Sequence, residues 1–144
     1  MRTVLLVRHA DIDLPPDGID PALSSKGEAR AEDFARVGAN AGIELIIVSS
    51  LMRARETAAP LARALGVEPV EATAAPDVLQ SLDAAPSDVR ALVVGHSNTL
   101  PDIIRGLGVQ ASIPEITESE FDNLFVVVID EVRESVLLAL KYGD

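Results

Sequence analysis

Thr3-Val4-Leu5-Leu6-Val7-Arg8-His9-Ala10 is the stretch that decides the fold. Its apolar run is short, partly β-branched and apolar on both faces, which reads as a strand buried inside a sheet. Strands of open α/β sheets deliver their last residues into a crevice outside the carboxyl edge, where ligands of such folds bind. Arg8 and His9 would stand at that edge. Taken alone, the pair has a plain alternative, a salt-bridging arginine beside a hydrogen-bonded loop histidine.

Outward from this strand, Asp11 to Pro21 is rich in Asp, Pro and Gly and reads as a loop that can wall the crevice. Ser25-Lys26-Gly27-Glu28 has capping-box spacing, and Phe34, Val37 and Ala41 follow at helical intervals, giving a helix over 25–41 that stops at Gly42. Glu44–Val48 is a second buried strand, ending at Ser49-Ser50, which can cap a helix whose first turn holds Arg53. That helix continues to Gly66, with a kink expected at Pro60. Val67–Ala72 reads as a short strand and Asp77–Leu82 as a short helix. Arg90–Gly95 is a third buried strand ending at His96, followed by a helix capped from Ser97-Asn98-Thr99 and running to about Leu107. Leu124–Asp130 and Ser135–Tyr142 read as two late strands. The alternation predicts one three-layer α/β/α domain over residues 1–144, with a mostly parallel sheet.

Composition narrows the function. The chain has 144 residues, 48% of them hydrophobic and 3% aromatic, so the core is aliphatic. With no cysteine, disulfides and thiolate metal sites are excluded. Met1-Arg2-Thr3 leads straight into the first strand, whose apolar run is too short for an export signal or a membrane span, so a cytoplasmic location is expected. A net charge of −11 argues against nucleic acid and anionic membranes as partners. An anionic substrate would therefore need a local concentration of cations.

The chain supplies one. Arg8 with His9, Arg53, and His96 all fall at junctions that a parallel sheet brings to the same edge, and they include both histidines of the sequence. Arg53 and His96 also lie near helix N-termini, where free N–H groups favour an anion. Two guanidinium forks and two imidazoles suit the oxygens of a phosphoryl group.

Taken in order, Leu6-Val7-Arg8-His9-Ala10, Leu23-Ser24-Ser25-Lys26-Gly27, Ser49-Ser50-Leu51-Met52-Arg53-Ala54-Arg55-Glu56-Thr57-Ala58 and Val94-Gly95-His96-Ser97 resemble the histidine phosphatase superfamily, with its phosphoglycerate-mutase-like fold, over about residues 3–107. The compact layout is similar to that of the small phosphohistidine phosphatases. The resemblance implies that His9 is phosphorylated on nitrogen and that Arg8, Arg53 and His96 form the phosphate pocket. Ala10 replaces the glycine common in the first motif, and Arg55 is set aside as structural. Hydrolysis of a phosphomonoester or phosphoramidate follows, without metal or other cofactor, on a small phosphorylated substrate or a phosphohistidine protein. Family members that cleave alkyl phosphates place an acid between the second strand-helix unit and the second histidine. Of Glu68, Glu71, Asp77, Asp83 and Asp88, Asp77 is the candidate proton donor, with a helix cap as its alternative role.

Elementary chemistry supports these roles, since phosphoryl transfer needs positioning and charge neutralisation above all, and a neutral imidazole is a competent nucleophile. Two other readings stay open. One is a metal-dependent hydrolase using His9, Asp11 and Asp13, although arginines beside a divalent cation oppose it and a solvated turn is the expected state of both aspartates. The other is a non-catalytic phosphate-binding module. A mutase is less favoured, because the 42 residues between Arg53 and His96 leave little room for a lid.

Overall fold

The computed structural model describes residues 1–143. Its elements, in chain order, are β1 (Arg2–Arg8), α1 (Ser25–Gly38), β2 (Leu45–Val48), α2 (Met52–Leu65), β3 (Val70–Glu71), α3 (Ala75–Ala84), β4 (Arg90–Gly95), α4 (Thr99–Gly106), β5 (Asn123–Ile129) and β6 (Val136–Lys141). One sheet runs β3-β2-β4-β1-β5-β6. β1 to β4 are parallel, β5 lies antiparallel to β1, and β6 antiparallel to β5. Five strands therefore share a direction and β5 opposes them, which is the mostly parallel sheet expected.

β1 shows why both of its faces had to be apolar. Val4 and Leu6 enter one core with Val78 and Leu82 of α3 and Leu100, Ile103 and Ile104 of α4. Leu5 and Val7 enter the other with Phe34 of α1 and Ala58 and Leu61 of α2. Each face is covered by a helix pair, so no strand residue between Val4 and Val7 can be polar without leaving an unpaired group in a core.

Several element ends differ from the expected ones. The cap of α1 is Ser24, not Ser25: its hydroxyl accepts from the Gly27 N–H (3.1 Å), and Gly27, having no side chain, cannot return the bond, so the helix has a serine cap and not the expected box. Gly27 is fixed by space, since a Cβ there would collide with the Asp11 carbonyl. The helix ends at Gly38 rather than Ala41, and Gly42, at φ +74°, turns the chain into β2. Leu51, not Ser49 or Ser50, precedes α2, and no side chain of its own caps that helix. The N-cap position of α4 is Asn98, also without a side-chain bond. Instead the Thr99 hydroxyl accepts from the His96 N–H (3.1 Å). β3 shrinks to two residues, while α3 begins at Ala75, earlier than Asp77. Among the described residues no helix is long and apolar enough to cross a membrane.

Candidate active site

The parallel register levels three strand ends. Arg8 pairs with Gly95 and Val48 with Val94, so His9 and His96 emerge level with each other and Ser49 stands one step before them, at the level of Gly95. The His9 N–H continues the ladder by donating to the Gly95 carbonyl (2.9 Å). The rings of His9 and His96 stand 5.2 Å apart between centroids.

His9 is 3% exposed. Its Nδ1 lies 2.8 Å from the Ala10 carbonyl oxygen. A carbonyl only accepts, so Nδ1 carries the hydrogen and Nε2 is left with its lone pair. Burial pushes the His9 pKa down to about 3, with the neighbouring His96, Arg8 and Arg53 acting in the same direction and only the Ala10 bond opposing. His96 is lowered to about 4, again chiefly by burial and then by Arg53 and Arg8. Both imidazoles are therefore neutral near pH 7. His96 Nε2 is 2.8 Å from the hydroxyl oxygen of the buried Ser49, which fixes that ring.

The two arginines are held differently. Arg8 donates from Nη1 to the carbonyls of Thr117 (3.1 Å), Glu118 (2.9 Å) and Glu120 (2.6 Å), and its guanidinium lies 4.1 Å from the Phe121 ring centroid. One face of the cation thus anchors the segment ahead of β5. Burial pushes its pKa down, with the Glu118 carboxylate opposing. Arg53, in the first turn of α2, has only a loose pairing with Asp20, Nη1 to Oδ1 at 3.9 Å. Buried Nε of Arg8 and buried Nε and Nη1 of Arg53 have no hydrogen-bond acceptor among the described residues. Unpaired buried donors are unfavourable, and an oxyanion is the natural acceptor for a cluster of them.

Four supports of the site are not among the residues expected from the sequence. The Thr57 hydroxyl accepts from the Ala10 N–H (2.8 Å) and donates to the Arg53 carbonyl (2.7 Å), tying the residue after His9 to the first turn of α2. Ser49 orients His96. Asp20 accepts from the Met52 N–H (2.9 Å), capping α2 from the 11–22 loop. Phe121 packs on Arg8 and on His9, whose ring centroid is 5.8 Å away. Ser49 and Thr57 stand inside quoted motifs and were findable as hydroxyls near strand and helix ends; Asp20 and Phe121 depend on loop paths.

Other candidates sort clearly. Asp77 is exposed in the first turn of α3 and forms no side-chain cap, since the cap position is Ala74. Its helix starts just after Thr73, whose hydroxyl accepts from the Ser50 N–H (3.0 Å) beside the end of β2. Arg55 pairs with Glu71 on the surface (3.2 Å), in keeping with a structural part. Asp11 is not the solvated turn residue expected of it. It is 6% exposed and accepts from Arg30 Nε at 2.6 Å, because the chain doubles back so that Ser24 N–H meets the Asp11 carbonyl (2.9 Å) and α1 packs over the loop. Asp13 remains exposed. With Asp11 committed to Arg30, the His9, Asp11 and Asp13 set does not converge, and among the described residues no three His, Asp or Glu side chains are placed to hold a metal ion. A concavity of about 440 Å³ lies along α2 beside Ala59, Arg63, Val67 and Glu68, and no histidine, serine or threonine lines it.

Known proteins share this fold. The model of the histidine phosphatase superfamily (branch 1) matches residues 4–77. No curated protein matches the chain. Among solved structures, the protein histidine phosphatase SixA complexed with tungstate superposes with a TM-score of 0.76 at 19% identity, covering 96% of both chains. A mycobacterial glucosyl-3-phosphoglycerate phosphatase in complex with VO3 gives 0.79 at 15% identity, over 99% of this chain and 100% of that one. A protein assigned as SixA from Nakamurella multipartitia gives 0.72 at 20%, over 99% and 97%. The likeness to these structures establishes the fold, and the family match spans Arg8, His9, Arg53 and just over half of the sequence: the chain belongs to the histidine phosphatase superfamily.

Proposed function

We propose that the chain is a metal-independent phosphatase that hydrolyses a phosphomonoester or phosphoramidate through a phosphohistidine on His9. The observation that carries this reading is a neutral, buried imidazole with its Nε2 lone pair free, set among guanidinium N–H groups that lack acceptors. In the first step Nε2 forms a bond to phosphorus as the bond to the leaving group breaks, and that group departs with the electron pair and a proton. In the second step a water oxygen attacks phosphorus, the N–P bond breaks, its electron pair returns to Nε2 and the water releases a proton. Arg8, Arg53 and His96 hold the non-bridging oxygens through both steps, where charge redistributes. The incoming dianion opposes the burial and the cationic field that together lower the His96 pKa, so His96 can take up a proton and donate to it.

A module that only binds phosphate has no use for a lone pair held ready at Nε2, which favours catalysis over simple binding. Asp77 is assigned the leaving-group proton. Two superposable proteins were solved with tungstate and VO3, oxyanions of the kind this pocket would hold. SixA-like neighbours make a phosphohistidine protein one substrate class to test, with small phosphate esters as the other.

Turnover of aryl phosphates, alkyl phosphates and a phosphohistidine protein in the presence of chelator tests the proposal. Activity unchanged by chelator, inhibited by vanadate and absent in His9→Ala is expected. Asp77→Asn should slow alkyl phosphates about 10²-fold or more and aryl phosphates far less, because a good leaving group needs no acid. Activity lost in chelator and restored by a divalent ion would overturn the metal-independent reading, and equal small effects of Asp77→Asn on both ester classes would remove Asp77 as the acid.

A further inference from the structure

Six buried side-chain nitrogen or oxygen atoms lack a hydrogen-bond partner among the described residues, and three of them belong to Arg8 and Arg53. A fourth is Nδ2 of Asn123, a residue only 6% exposed. β5 is the strand that runs against the others, so it begins where β1 ends. Its register with β1 reaches Val7 opposite Leu124, and the next step sets Asn123 opposite Arg8. Both side chains project from the face on which Leu6 and Phe125 enter the α3/α4 core. Directly opposed residues of an antiparallel pair have Cβ atoms roughly 4.5–5.5 Å apart. Two residues upstream, Phe121 packs against both Arg8 and His9.

We propose that Asn123 is a further phosphate-binding residue, whose carboxamide Nδ2 donates to a non-bridging phosphoryl oxygen beside Arg8. This rests on the phosphatase pocket described above. A buried amide N–H without an acceptor costs free energy in the unliganded chain, and the side chain opposite it in register, Arg8, is a cation that cannot accept. A phosphoryl oxygen accepts from Arg8, Arg53 and Asn123 together. The neutral amide has a role that a third arginine could not fill, because it adds a donor without lowering the His9 pKa further.

The test uses Asn123→Leu and Asn123→Asp in the full chain, with thermal unfolding, inorganic phosphate affinity by calorimetry and kcat/KM on an aryl phosphate. The leucine variant removes an unpaired donor and keeps the branch at Cγ with somewhat more bulk, so where it folds it should unfold at the same or a higher temperature. It should also bind phosphate about 10-fold more weakly and lose about 10- to 100-fold in kcat/KM, the worth of a hydrogen bond to a charged group. Asn123→Asp, of the same size, carries the test if leucine disturbs the fold. Its deficit should be larger near pH 7, where the carboxylate repels phosphate, and should shrink as the pH falls and the carboxyl becomes a donor again. A folded leucine variant that binds phosphate and turns over within twofold of wild type, or an aspartate variant with an unshifted pH profile, would overturn the assignment while leaving the pocket standing. Wild-type protein that bound no phosphate would overturn both.

Discussion

Arg30 is buried and Arg53 half-buried, and each lies near a segment that leaves β1, but their guanidinium groups are treated in opposite ways. Arg30 is 5% exposed, donates from Nε to Asp11 Oδ1 at 2.6 Å and from Nη1 to the Tyr142 carbonyl at 3.2 Å, and stacks toward the Tyr142 ring. The Asp11 bond and charge raise its pKa against the effect of burial. Arg53 has two buried N–H groups with no acceptor and a single carboxylate at 3.9 Å. A buried cation that is fully paired within the chain is a fastener, and one left with open donors is organised for a ligand. Both guanidinium groups are partly or wholly shielded from solvent, and the destination of each N–H is what separates them.

Exchanging their fates in experiment would break the comparison. Arg53→Ala should leave the fold intact, because it removes unpaired donors and a like charge from Arg8, yet lower kcat/KM about 10³-fold, the scale on which a charge-stabilising group acts in the transition state. Arg30→Ala should do the reverse. Leaving Asp11 buried and unpaired should cost about 3–5 kcal/mol of stability, measured by urea unfolding, with kcat per folded molecule nearly unchanged. The double variant Asp11→Ala/Arg30→Ala should recover part of that loss. An Arg53→Ala protein that lost stability and kept activity would reverse the assignment of the two cations.

A smaller effect sharpens the same contrast. The unfolded chain takes up a proton at each imidazole below about pH 6.5, while the folded chain keeps His9 neutral to about pH 3 and His96 to about pH 4. Stability from this source is complete above about pH 6.5 and is lost as the pH falls toward those values, with a slope of up to about 1.4 kcal/mol per pH unit for each histidine. The Arg30 cation does not titrate in that window. His9→Ala should therefore flatten the fall in urea midpoint between pH 7 and pH 5, and an unchanged slope would mean that His9 is not held neutral.

The parts of the site legible in the sequence are those that hang from apolar runs. Val4–Val7, Leu45–Val48 and Ala91–Val94 are too apolar to be anything but buried strands, and once parallel they place His9, Ser49 and His96 at one edge. Arg53 follows from its place in the first turn of the helix after Ser49-Ser50. The bonds from Arg8 to the 117–120 carbonyls were illegible because main-chain acceptors leave no trace in side-chain identity. Asp11 was misread for a related reason. Its partner Arg30 comes from a helix whose approach depends on Gly27 touching the loop, a packing detail that no local pattern encodes. Asn123 gives no comparable signal, because an antiparallel strand brings its first residue, and not its last, to that edge.

The role proposed for the open arginines rests on a phosphoryl group on His9, and trapping that intermediate tests it most directly. Rapid denaturing quench of the protein during turnover of a 32P-labelled phosphate ester, followed by peptide mapping, should recover acid-labile, base-stable label on the peptide containing His9, and none from His9→Ala. Label on a serine or aspartate, or turnover with no protein-bound label even when product release is outpaced, would contradict the phosphohistidine mechanism.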